Sequence, residues 1–115
     1  MAAAAATPAL AATTRDSGVR GQVTAGPTCP VEDGSKDCAP RPIAVSIAIH
    51  RLPGHELVKV VHSGQRGRFR AWLRPGRYRL RPHPDHQAMS CRTSDATVKA
   101  HELTHVGLGC DTGLR

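Results

Sequence analysis

The chain contains no asparagine, only three aromatic residues (Phe69, Trp72 and Tyr78) and nine acidic residues among its 115 positions. With so few aromatics, the core must be aliphatic, and a stacking platform for single-stranded nucleic acid is poorly supplied. With so few acids, no paired carboxylates are available for acid–base hydrolysis. No stretch approaches the roughly 18 apolar residues of a helical membrane span. No glycine-rich phosphate loop and no Ser–His–Asp set with a nucleophile elbow can be found. Internal repeats are absent too, so the length corresponds to one domain.

Positive charge and cysteine are what the chain does have. The formal net charge is +7, which favours anionic partners such as acidic glycans, teichoic-type polymers, nucleic acid or lipid head groups. No nucleic-acid-binding signature accompanies it. Four cysteines, Cys29, Cys38, Cys91 and Cys110, read as two disulfides of an exported domain. Proximity favours Cys29–Cys38 and Cys91–Cys110. A zinc–thiolate site is the competing reading, but neither pair has the two-residue spacing of a zinc knuckle. Residues 1–17 form an Ala-rich leader, read either as the end of an export signal or as a disordered segment. The expected location is therefore secreted or at the cell envelope.

Alternation of apolar and polar residues runs through residues 18–115. Val19 and Val23 share one face of a first strand. Ile43, Val45, Ile47 and Ile49 share the core face of the clearest one, over 43–50. Glu56 to His62 reads as a third strand after a turn at Leu52-Pro53-Gly54. Arg68–Leu73 and Arg77–Arg81 are expected to form a hairpin about Pro75-Gly76. Phe69, Ala71, Leu73, Tyr78 and Leu80 would then face the core. Thr97–Ala100 and Thr104–Leu108 read as a last hairpin, pairing Ala100 with Thr104, Val98 with Val106 and Ala96 with Leu108. Short strands between Gly/Pro turns predict an all-β, seven-stranded antiparallel sandwich.

Several segments together resemble a family of small exported bacterial domains. They are Gly18-Val19-Arg20-Gly21-Gln22-Val23, then Gly26-Pro27-Thr28-Cys29-Pro30, and Cys38-Ala39-Pro40-Arg41-Pro42. Gly67-Arg68-Phe69, the hairpin Leu73-Arg74-Pro75-Gly76-Arg77-Tyr78-Arg79-Leu80 and the ending Asp111-Thr112-Gly113-Leu114-Arg115 complete the set. The family is the carboxypeptidase regulatory-like, or prealbumin-like, β-sandwich, to which Cna-B-like adhesin modules are related. The resemblance implies an Ig-like sandwich used as an accessory, adhesive or carbohydrate-binding-like module. Stalk modules of this kind often carry a Lys–Asn isopeptide crosslink. Without asparagine, that crosslink is ruled out here.

The sharpest catalytic signal is His101-Glu102-Leu103-Thr104-His105, a literal H-E-x-x-H for which about 0.01 chance matches are expected. On a helix from Ala96 to Val106, His101 and His105 would ligate zinc and Glu102 would act as base. Asp111 has the spacing of a third ligand. Opposing this reading are the β-branched Thr97, Val98, Thr104 and Val106, and the helix-breaking Gly107 and Gly109. A three-residue loop over 101–103 is the preferred reading, so no catalytic residue and no cofactor is assigned. A zinc-dependent hydrolase is the alternative.

In the expected 68–81 hairpin, Trp72 would lie opposite Arg79, and Arg70 opposite Arg81. Arg68, Arg70, Arg79, Arg81 and Trp72 would then form one basic face. Opposed like charges cost stability unless splayed into solvent or bridged by an anion, and Trp72 could stack on an arginine. His50, His55, His62, His83 and His86 are scattered, and His83-Pro84-Asp85-His86 reads as a polar turn. The sequence thus points to a non-catalytic binding module for a carbohydrate or an anionic envelope polymer. A purely structural spacer is a further alternative.

Overall fold

The computed structural model describes residues 16–26, 39–84 and 89–113. Nine strands run through them: β1 (Gly18–Gly26), β2 (Arg41–Pro42), β3 (Ser46–Arg51), β4 (Glu56–His62), β5 (Arg68–Trp72), β6 (Gly76–His83), β7 (Ser90–Cys91), β8 (Ser94–Val98) and β9 (Leu103–Asp111). The expected Cys29–Cys38 staple, His86 and the leader up to residue 15 lie outside the described residues. Among the described residues, no helix is long and apolar enough to cross a membrane.

The strands form two facing sheets. In the five-stranded sheet β1 is central: β5 and β2 pair successive parts of one of its edges, β9 pairs the other, and β7 lies beyond β9. The four-stranded sheet has the order β4-β3-β6-β8. The all-β sandwich is as expected, but seven antiparallel strands is corrected on two counts. Nine strands are present, because β2 and β7 are two residues long, too short to show alternation. In addition, β9 runs parallel to β1, from Gly18↔Leu103 to Gly26↔Asp111.

The inward residues are those the alternation marks. Val45, Ile47 and Ile49 from β3 and its approach, Phe69 and Ala71 from β5, and Tyr78 and Leu80 from β6 are buried, with Val19 and Val23 of β1 beneath them. Val106, Leu108 and Cys110 close the core from β9. The pairing of β5 and β6, however, departs from the expected hairpin. β5 pairs β1, whereas β6 pairs β3 and β8 in the other sheet. Residues 73–75 are a corner between layers. The Leu73 amide donates to the carbonyl of Ser17, just ahead of β1, at 3.0 Å, and the Ser17 hydroxyl donates to the Leu73 carbonyl at 2.6 Å. The Tyr78 hydroxyl donates back to the Arg74 carbonyl at 2.7 Å and holds the corner.

The second expected hairpin is corrected in the same way. β8 belongs to one sheet and β9 to the other, so Ala96 pairs Tyr78 and Val98 pairs Gly76, while Val106 pairs Gly21 and Leu108 pairs Val23. The Thr104 hydroxyl donating to the Thr97 carbonyl, at 2.8 Å, links the two strands at the corner. At the far end of β9, Cys91 and Cys110 are directly opposed on β7 and β9 and form a disulfide. Closing a loop of this size contributes roughly 3 kcal/mol in the chain-entropy account.

Close approach of β1 to its neighbours depends on glycine. A Cβ on Gly21 would run into the backbone carbonyl of Val106, with the Phe69 ring also in the way. Neither strand can move without disturbing the core. Gly21→Ala is therefore expected to cost about 1–3 kcal/mol as an overpacking substitution, lowering Tm by roughly 4–8 °C per kcal/mol. A thermal melt with Tm unchanged would show that β1 and β9 are not packed this closely.

Candidate functional site

The site is built on the outer face of the five-stranded sheet. On β1, Val19 and Val23 point inward, so Arg20 and Gln22 point out. On β5, Phe69 and Ala71 point inward, so Arg68, Arg70 and Trp72 point out. On β9, Val106 and Leu108 point inward, leaving His105 and Gly107 outside. The registers then bring these residues into rows. Arg20 lies directly between Arg70 and His105, and Gln22 between Arg68 and Gly107. Neighbouring strands are about 4.8 Å apart, so three cationic or cation-capable side chains stand side by side.

An open depression of ≈ 720 Å³ covers these rows, lined by Arg20, Gln22, His62, Arg68, Arg70 and His105 among others, with no acidic residue among the described residues of its wall. Gln22 is held by donating to the Arg66 carbonyl at 2.8 Å. The Arg70 guanidinium lies over the Trp72 ring at 5.3 Å, a cation–π contact that covers the ring. Lys59 donates to the Trp72 carbonyl at 2.8 Å and fixes the end of β5. No carboxylate of the described residues pairs with Arg20, Arg68 or Arg70. Like charges opposed across strands are destabilising, so the row is a cost that no acid of the described residues offsets.

The basic face expected from sequence is thus divided. Arg68, Arg70 and Trp72 lie together, but Arg79 and Arg81 lie on the outer face of the other sheet, opposite His50 and Ala48. Arg70 faces Arg20, not Arg81. Trp72 faces Gly18, not Arg79. The reason is the corner at residues 73–75, which sends β6 to the other layer. Arg79 is also engaged, since its Nε and Nη2 donate to Asp95 at 2.7 and 3.1 Å. Sequence reasoning left out Arg20 and gave His105 only a metal role. The alternation of β1 signals an outward Arg20, but its neighbours come from residues far along the chain.

The H-E-x-x-H residues occupy a turn and a strand. Ala100 and His101 form the turn, and β9 begins at Leu103. His101 adopts a left-handed conformation with φ 63°, and its Nδ1 contacts Asp16 at 2.6 Å. His105 points to the outer sheet face beside Arg20. The two histidines therefore lack the shared helical face that the zinc alternative requires. Asp111, six residues further along an extended strand, lies about 20 Å from His105. It accepts instead from the Gly113 amide at 2.8 Å.

No protein-family model matches the chain, and no curated protein matches it in sequence. Among solved structures it is similar to the Bacillus anthracis TIE protein, with a TM-score of 0.55 and 13% identity, over 81% of this chain and 17% of that one. The chain thus spans about a sixth of that protein. The likeness is one of fold.

The Arg79–Asp95 pair has a pH signature that separates it from the free cations. The Asp95 carboxyl lies below its ordinary value, mainly because Arg79 donates hydrogen bonds to it. A carboxylate lowered in the folded state contributes stability above its unfolded pKa, and this is lost as pH falls through the folded value. The pair is exposed and its effect is small. Asp95→Asn should lower the urea midpoint slightly at pH 7, with the difference vanishing below the usual carboxylate range. A difference that persists unchanged into strong acid would contradict this account.

Proposed function

We propose that the chain is a non-catalytic, exported binding module of the carboxypeptidase regulatory-like, prealbumin-like kind, holding an anionic polymer of the cell envelope on the outer face of the five-stranded sheet. The row His105–Arg20–Arg70, flanked by Arg68 and with no acid among the described residues around it, is the observation that carries this reading. A polyanion laid across the strands would relieve the repulsion within the row. The net charge of +7 would steer such a polymer toward the module. The Cys91–Cys110 disulfide supports an oxidising compartment, and Trp72 under Arg70 stiffens one end of the row.

The test uses heparin as a polyanion probe. The double variant Arg20→Ser/Arg70→Ser should bind at least tenfold more weakly at low salt, with elution moved to lower ionic strength as exposed charge contacts are lost. Arg79→Ser/Arg81→Ser should elute close to the wild type. Equal losses in both double variants would mean that only net charge is being read. No retention of the wild-type protein would favour a structural spacer.

A further inference from the structure

We propose that β9 carries a second recognition site, a free strand edge that accepts an extended acidic peptide segment from a partner protein. The ladder geometry carries the proposal. In a parallel pair, alternate residues of each strand turn their backbone groups toward the partner. The Gly18 amide donates to the Glu102 carbonyl at 3.0 Å, with Gly18 in register with Leu103. The even-numbered residues of β9 therefore bond to β1. The N–H and C=O groups of Leu103, His105 and Gly107 consequently point away from β1. The Arg92 amide donating to the Gly109 carbonyl, from the far side of β9, has the same phase.

Among the described residues, that far side is covered only at its ends. β7 pairs β9 at Cys110 and Asp111, and the Thr104 hydroxyl meets the Thr97 carbonyl near the corner. Between these points a cleft of ≈ 650 Å³ lies along the edge, with Thr97, Lys99, Leu103, His105 and Gly107 in its wall. The β4 edge of the four-stranded sheet is blunted. β4 has a bulge where the register shifts between Ile49 and His50, and Lys59 is drawn across to the Trp72 carbonyl. Both are devices that discourage strand addition. The pairing of β1 with β9 has no register shift, and residues 103–107 of β9 contain no lysine or proline.

Charge selects the occupant. A strand added beside β9 would place one set of its side chains next to His105, with Arg20 one strand further in. Acidic residues suit that side. Its other set would lie near Val106 and Ala96, both buried, where apolar residues fit. Two acids also stand in the cleft wall: Asp95, which is engaged by Arg79, and Glu102, which precedes β9 at the turn end. A second copy of a chain with net charge +7 would bring cations to cations. The fitting partner is an extended segment that alternates acidic and apolar residues, bound by strand addition.

The probe is an end-blocked heptapeptide alternating glutamate and valine. Amide hydrogen exchange at Leu103, His105 and Gly107 should slow at least tenfold when it is added in excess. Gly107→Pro removes an edge-facing N–H that the β1 ladder does not use, a place where edge strands tolerate proline. A side chain there meets no atom within 4 Å. This variant should bind the peptide at least tenfold more weakly while keeping its Tm. Unchanged exchange at the three amides would overturn the proposal, as would undiminished peptide binding by Gly107→Pro, which would mean that charge alone is read. Slowing that depends on protein concentration without peptide would assign the edge to a second copy and overturn it equally. Heparin retention is read separately, so the failure of this edge and the failure of the cationic face are distinguishable.

Discussion

The parallel pairing of β1 with β9 is the interaction on which the rest of the structure depends. It joins the first and last strands of the sandwich over their full lengths and puts Val19, Val23, Val106 and Leu108 into one buried layer. The same register fixes which polar residues meet on the outside. With Val106 inward beside Gly21, His105 must lie outward beside Arg20. β5 then adds Arg70 on the other side of Arg20. The cation row is thus a direct consequence of how the core is packed, because a one-residue slip would turn the apolar side chains of β1 and β9 to solvent.

Much of the fold was legible in the sequence, and what was missed has one physical origin. Alternation reports which face a residue takes, and the inward sets at 45–49, 69–73 and 78–80 are buried as the pattern indicates. It does not report the pairing partner. A strand that returns as a hairpin and one that crosses to the other layer have the same period. Pro75 and Gly76 suggested a return, but Leu73 is committed to Ser17 and the chain crosses over. The last corner misled in the same manner, since residues 94–98 and 103–111 alternate correctly yet belong to different sheets.

The candidate site inherits that pattern. Arg68, Arg70 and Trp72 were visible as outward residues of one strand. Arg79 and Arg81 were assigned to the same face only through the expected hairpin, and they lie on the opposite side of the molecule. Arg20 and His105 come from the two ends of the domain, and no local motif joins them. The H-E-x-x-H residues show how little a short motif means without its helix. On a turn and a strand, His101 meets Asp16 and His105 stands beside Arg20.

The central claim is that one outer face, built by β5, β1 and β9, receives the anionic ligand. Amide chemical-shift mapping during titration with a sulfated oligosaccharide tests it most directly. The account predicts shifts concentrated at Arg20, Gln22, Arg68, Arg70 and His105, with Arg79, Arg81 and Asp95 unmoved. Shifts centred on β6 and β8, or spread evenly over both faces, would contradict it.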